Sequence, residues 1–274
     1  MLGAIIGDIA GSVYERPENN IKTKDFPFFD RLSKITDDTV LTCAVANAFM
    51  EYLAHPKITD LHNALIDSLK SYGNAHQFVP YGKQFRKWME DYRDRAPYNS
   101  FGNGSAMRVS PVAWFFDSLE EVEAMAKISA EITHNHPRGI AGAQAVAAAV
   151  FMARTGKTKE EIQNYIGERY YPLDFTLDEI RPDYYGDLSC DGSVPQAIAS
   201  FLEADSFEDA VRNAVSIGGD SDTIAAMAGS IAEAFFGIPD EIRTSGLRIL
   251  AQTGDLFQTY HRFENFIAGR RALT

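Results

Sequence analysis

Apolar residues in this chain recur three and four positions apart, segment after segment, and almost nowhere alternate with polar ones. That spacing puts them on one face of a helix with 3.6 residues per turn, whereas a half-buried strand needs a period of two. It predicts helices over residues 39–53, 61–72, 119–132, 140–153, 194–202, 207–215 and 224–236. A further helix is expected over 247–266, with a weak point at Gly254. In the second of these, Leu61, Leu65, Ile66 and Leu69 share one face. Residues 175–180 suggest a short extended piece, but no run of alternating Val, Ile and Thr is there to pair with it. The expected fold is therefore all-α. With no low-complexity linker and no internal repeat, it is expected to form one domain over residues 1–274. Alanine is concentrated in several segments, notably 141–149, and small side chains let helices approach closely.

Charge and targeting signals narrow the partners. Asp and Glu number 38 against 26 Lys and Arg, a net charge of −12. Such a surface repels a phosphate backbone, which argues against extended nucleic acid but leaves room for a local pocket that binds one small anion. No apolar run reaches the ~18 residues needed to cross a bilayer. Residues 1–10 are apolar but interrupted by Gly3, Gly7 and Asp8, and they lack a basic stretch, so a secretory signal is not expected. Cys43 and Cys190 are too few for a disulfide scaffold, and neither has a second cysteine or a histidine at zinc-ligand spacing. A reducing, cytoplasmic location is the expectation.

Three polar or Pro/Gly-containing stretches, 15–35, 93–105 and 170–192, interrupt the helical pattern. Loops of this length inside a helical domain are usually binding loops. The residues with chemical potential lie in or beside them. Thr36-Asp37-Asp38-Thr39 and Gly218-Gly219-Asp220-Ser221-Asp222-Thr223 each precede an apolar helix, and Asp38-Thr39-Val40 matches Asp222-Thr223-Ile224. One such motif is readily explained as a helix cap, since Asp, Ser and Thr satisfy free N–H groups and suit the helix dipole. Two motifs with paired acids exceed that need, because one cap uses one carboxylate and adjacent carboxylates repel. Together they form a hard-oxygen donor set suited to Mg²⁺ or Mn²⁺ if the two helix starts meet.

Gly102-Asn103-Gly104-Ser105-Ala106-Met107-Arg108 is either a simple turn or a phosphate-binding loop whose glycines expose backbone N–H groups. Thr133-His134-Asn135-His136-Pro137 offers two histidines without a nearby third ligand, which leaves a hydrogen-bonded helix end as the plain alternative. Gly7-Asp8, Gly11 and Glu15 lead into the first polar loop, where an acid is ordinarily just solvated.

Taken in order, these pieces resemble the ADP-ribosylglycohydrolase family, which includes dinitrogenase-reductase-activating glycohydrolase and the ADP-ribosyl-acceptor hydrolases. The resemblance runs from Gly3 to about Gly237, and the Lys22-Thr23-Lys24-Asp25-Phe26 loop is closer to small bacterial members than to animal ones. It implies an all-α domain with a binuclear Mg²⁺ or Mn²⁺ centre, one side supplied by Thr36, Asp37 and Asp38, the other by Asp220, Asp222 and Thr223. It further implies that Ser100, Phe101, Gly102, Asn103, Gly104 and Ser105 cradle a diphosphate, with His134 facing it and Gly82 in another ligand loop. Gly219 and Ser221 would touch the ribose side. Glu15 is the first candidate for acid/base or positioning work, with the loop after it as a mobile lid, and Asp37 is the alternative base.

The implied reaction is hydrolysis of the bond between ADP-ribose and an acceptor, on a protein or a small molecule, with ADP-ribose as product. Arginine is the default acceptor. Serine-linked, O-acetyl and nucleobase-linked ADP-ribose stay open, as do a non-catalytic ADP-ribose-binding module, a partner-binding protein and a metal-dependent phosphohydrolase.

Overall fold

The apolar segment over 1–10, which is not among the expected helices, forms α1 (Leu2–Gly11), and every residue of it is buried. In this computed structural model, which describes residues 1–271, Gly3, Gly7 and Gly11 fall on one face of α1, against α13 (Ser221–Phe236). A Cβ on Gly7 would lie 2.0 Å from the carbonyl oxygen of Ala225, and one on Gly3 would lie 2.2 Å from that of Gly229. Gly229 returns the contact, since its own Cβ would lie 2.4 Å from the carbonyl oxygen of Gly3. The two backbones thus touch, and glycine is required at the crossing because no side chain fits.

Between these two come α2 (Asp37–Ala54), α3 (Leu61–Ala75), α4 (Lys83–Glu90), α5 (Gly104–Met107), α6 (Val112–Phe115) and α7 (Leu119–Glu131). They are followed by α8 (Pro137–Arg154), α9 (Lys159–Arg169), α10 (Leu177–Ile180), α11 (Cys190–Leu202) and α12 (Phe207–Ser216). After α13 come α14 (Asp240–Leu250) and α15 (Gly254–Arg271). The fold is all-α, with no strand among the described residues. α13 is its hub: α1, α8, α11 and α12 all pack against it. The alanine-rich stretch of α8 is buried from Ala145 to Ala149. α2 sits against α3 on one side and α15 on another. The single-domain expectation extends to residue 274, and positions 272–274 lie outside the described residues.

Two expected elements differ. The helix expected over 247–266 is two helices, with a break at 251–253. There the Thr253 hydroxyl donates to the Leu250 carbonyl at 2.7 Å, closing α14, and the flexible Gly254 opens α15. Residues 175–180 are not extended. Thr176 and Glu179 form a reciprocal capping box that starts the short helix α10. Two helices escape the spacing argument because they are mostly polar. α9 buries only Ile162 and Ile166, and α4 buries Phe85, Trp88 and Met89.

The three long loops do not hang free. An isolated antiparallel bridge joins Gly102 to Ser189, supported by Asn103 N–H to Leu188 O at 2.8 Å and Cys190 N–H to Phe101 O at 3.0 Å. The second loop is thereby fastened to the third. The first is fastened as well. Asn20 donates to the carbonyls of Tyr14 and Gly219 and accepts the Gly219 N–H at 2.7 Å. Lys22 Nζ donates to the carbonyls of Tyr184 and Ile217, and Arg212 holds those of Lys24 and Phe26. The segment expected as a mobile lid is, in this structure, tied down between Asn20 and Phe26.

Candidate active site

Two helix starts, separated by about two thirds of the chain in sequence, meet beside the α1–α13 crossing. At the start of α2, Thr36 is the capping residue, and its hydroxyl accepts the N–H of Asp38. The organiser is Asp8 of α1, which is fully buried. Its carboxylate accepts the N–H and hydroxyl of Thr36, at 2.9 and 2.7 Å, and the N–H of Thr39 at 3.1 Å. It also accepts the Thr39 hydroxyl. One carboxylate thus satisfies several free donors of a helix it does not belong to.

The start of α13 is built differently. Gly218 and Gly219 both have positive φ, 75° and 74°, the left-handed region that glycine tolerates. Side chains would not fit there either: a Cβ on Gly218 would lie 2.2 Å from Asn20 Oδ1, and one on Gly219 would lie 2.5 Å from the Gly186 Cα. Asp220 occupies the capping position without making a side-chain cap, and its carboxylate instead accepts the Asn103 amide at 2.6 Å. The two starts are joined directly, the Thr223 hydroxyl donating to Asp38 Oδ2 at 3.1 Å.

Asp8, Asp38 and Asp222 place one carboxylate oxygen each within 4.8 Å of one another, and so do Glu15, Asp220 and Asp222. Asp222 belongs to both groups. Burial raises every one of these acids above its ordinary value, and their mutual repulsion adds to this for Glu15, Asp37, Asp38 and Asp222. Asp8 is pushed up to about 6 by burial, against the hydrogen bonds from Thr36 and Thr39. Asp220 is raised by burial and eased by the Asn103 amide. Among the described residues, no ion pair neutralises any of the six. Asp38 Oδ1 is buried with no hydrogen-bond partner at all. Uncompensated buried carboxylates are costly, and an oxygen-only set of this kind fits hard divalent cations.

The expected metal-side residues Thr36, Asp38, Asp220, Asp222 and Thr223 therefore come together, with Asp37 and Glu15 close enough to feel their charge. Asp8, expected only as an acid that interrupts an apolar segment, joins them. Its signal was an acid inside an otherwise apolar helix. A cleft of about 320 Å³ opens beside the cluster, lined by Glu15, Pro17, Asn20, Tyr185, Gly186, Leu188, Gly219 and Asp220.

The expected ligand loop lies across from it. Gly102 N–H is held by Ser100 Oγ at 3.1 Å, Phe101 is exposed, and Gly104 opens α5 against the His134 ring. A Cβ on Gly104 would sit 3.2 Å from His134 Nε2, so the imidazole edge lies against this loop. Three of the expected ligand contacts have side chains bonded inside the protein. Ser105 Oγ donates to Gly139 O at 2.7 Å, Ser221 Oγ donates to Gly11 O at 3.1 Å, and Asn103 holds Asp220 and Ser193. Gly82 caps α4 with open space around it, and its neighbour Tyr81 lies within the electrostatic reach of Asp37.

The chain is similar to known proteins. Residues 1–269 match the family model described as ADP-ribosylglycohydrolase. The chain is 27% identical to the ADP-ribosylhydrolase ARH3 of Bos taurus over 96% of this chain and 91% of that one. It is 26% identical to the ADP-ribosylarginine hydrolase Tri1 of Pseudomonas putida, covering 87% of this chain and 70% of that one. It is 24% identical to the ADP-ribosyl-[dinitrogen reductase] glycohydrolase of Rhodospirillum rubrum, over 87% and 85%. A solved structure described as an ADP-ribosylglycohydrolase-related protein complex superposes with a TM-score of 0.70 over 97% of both chains, at 20% identity.

Proposed function

Because the chain belongs to the ADP-ribosylglycohydrolase family, we propose that it is a metal-dependent enzyme that hydrolyses the bond between ADP-ribose and an arginine side chain of a protein. The observation that carries the metal is the buried, unpaired carboxylate cluster, above all the partnerless Asp38 Oδ1. Thr36, Asp37 and Asp38, with Asp8 behind them, would hold two Mg²⁺ or Mn²⁺ ions from one side, and Asp220, Asp222 and Thr223 from the other. Bound there, the ions would orient the vicinal ribose hydroxyls and stabilise charge beside the anomeric carbon.

The chain's own residues do the rest. Ser100, Phe101, Gly102, Asn103, Gly104 and Ser105 form the wall that receives the diphosphate, with His134 at its edge. Gly82 marks a second ligand loop, and Gly219 and Ser221 shape the ribose side. Cleavage through an oxocarbenium-like transition state needs a group that takes a proton from water or gives one to the leaving group. Glu15 is suited to this. It lines the cleft, is half-buried, and its carboxyl is held above the usual range by burial and by Asp220 and Asp8. Asp37 is the second candidate for the same work. The acid-lined mouth formed by Glu15 and Asp220 favours a cationic acceptor such as a guanidinium, and the name of the Pseudomonas relative supports the same choice. The free, buried thiols of Cys43 and Cys190 support a cytoplasmic setting, and no helix among the described residues is long and apolar enough to cross a membrane.

Calorimetric titration of ADP-ribose with Mg²⁺ and then with EDTA tests the ligand and the metal together; binding that depends on the metal is expected. No binding under either condition overturns the proposal. Release of ADP-ribose from ADP-ribosyl-arginine, compared with serine-linked, O-acetyl and nucleobase-linked substrates, decides the acceptor. Glu15→Gln is expected to slow turnover on the order of 100-fold while ADP-ribose affinity stays within a few fold. Equal losses in rate and binding would reduce Glu15 to a ligand holder.

A further inference from the structure

Arg108 is fully buried, at the end of α5, and no carboxylate pairs with it. Its Nε and Nη1 have no hydrogen-bond partner. Only Nη2 is engaged, donating to Thr133 Oγ1 at 2.8 Å and to the Ser129 carbonyl at 3.3 Å. A buried guanidinium left this incomplete is expensive and calls for a reason beyond packing.

The reason lies one bond further on. Thr133 Oγ1 is 2.7 Å from His134 Nδ1. A guanidinium can only donate, so Thr133 spends a lone pair on Arg108. The hydroxyl hydrogen then has two neighbours to go to, His134 Nδ1 at 2.7 Å and the Tyr98 phenol, and the first of these orders the imidazole. An Nδ1 that accepts leaves the ring proton on Nε2. Nε2 makes no hydrogen bond within the described protein, and it lies against Gly102 and Gly104. Burial and the neighbouring Arg108 charge both push His134 well below its ordinary value, so the ring stays neutral.

We propose that Arg108 and Thr133 are positioning residues: they lock His134 as an Nε2–H donor aimed across the 102–104 loop at a phosphate oxygen of the ligand. The phosphate rests on the function proposed above; the lock itself is a property of the free protein. In this arrangement Arg108 also supplies a fixed positive charge behind the loop without touching the anion. That lets a neutral imidazole make the contact at a defined angle.

Long-range ¹H–¹⁵N correlation spectra of ¹⁵N-histidine-labelled protein, without ligand, read the tautomer directly. The His134 signals are identified by their loss in His134→Gln. The wild type is expected as Nε2–H, Thr133→Ser as the same, and Thr133→Val with part of the proton moved to Nδ1. Titration of ADP-ribose should then weaken about tenfold in Thr133→Val and stay within twofold in Thr133→Ser. A wild-type Nδ1–H form, or a Thr133→Val spectrum identical to the wild type, overturns the lock. A shifted tautomer with unchanged ADP-ribose affinity overturns the positioning role. If the wild type shows the Nε2–H form yet does not bind ADP-ribose, the proposed function falls while the lock stands.

Discussion

The starts of α2 and α13 carry nearly the same residues and are held in opposite ways. The α2 start is fixed from inside the core, where Asp8 takes the donors of Thr36 and Thr39. The α13 start packs on Gly11 of α1 and is held in addition by loops, where two left-handed glycines, Asn20 and Asn103 set its angle. The first therefore depends on helix packing, and the second on loops as well. A site with one half rigid and the other half built from loop contacts can present fixed ligands on one side and adjust to its substrate on the other.

The largest expected effect comes from removing one ligand from each half. Asp38→Ala and Asp222→Ala should each abolish divalent-ion binding and lower turnover on the order of 1,000-fold, with the far-ultraviolet helical spectrum unchanged. Calorimetry with Mg²⁺ checks this. If one variant still binds the ion at full affinity, the two starts do not share a site.

Next comes Asp8→Asn, which keeps the shape but removes the charge and weakens acceptance at α2. Ion affinity should fall between ten- and 100-fold, as about expected for a group that orients ligands. The α13 half should keep its geometry, so a spin or fluorescent reporter on the loop after α12 should not move. Asn103→Ala is expected to do less, about tenfold in ion affinity, because it frees Asp220 without disturbing Asp8. A larger loss in Asn103→Ala than in Asp8→Asn would invert the assignment of rigid and adjustable halves.

The smallest effect is on stability and has a definite sign. Asp8 ionises at about 6 in the folded protein, against 3.8 ordinarily, so the folded state holds this proton more tightly. That stabilisation is complete below about 4 and is lost as pH rises through about 6. The other raised carboxyls of the cluster act in the same direction. Without divalent ions the melting temperature should therefore fall across this window, and saturating Mg²⁺ should abolish the fall. A melting temperature that rises with pH in EDTA would contradict the electrostatics of the cluster.

Much of this was legible in the residues. Three- and four-residue spacing located α2, α3, α7, α8, α11, α12 and α13, and the paired acids at two helix starts marked both halves of the cluster. What spacing could not carry was convergence. Asp38 and Thr223 bond across 185 positions, where α2 and α13 meet beside α1. α1 itself was hidden because its glycines look like breakers until a second backbone is seen lying on them. Asp8 was visible as an odd acid but not as the partner of Thr36 and Thr39. The pairing of Arg108 with Thr133 was equally out of reach, since 25 residues separate them and neither lies on an amphipathic stripe.

The glycine crossing also fixes when in the life of each molecule this site can come into being. Gly11 and Ser221 are bonded across 210 positions, so α1 leaves the ribosome long before its partner helix has been synthesised. Until then Gly3, Gly7 and Gly11 lack the backbone they lie against, although Asp8 already has the α2 start within 31 positions. Domains assemble as they emerge, but here α1 must wait for a helix that lies 210 positions further along the chain. The core around α1 therefore stays unfinished until α13 has been made.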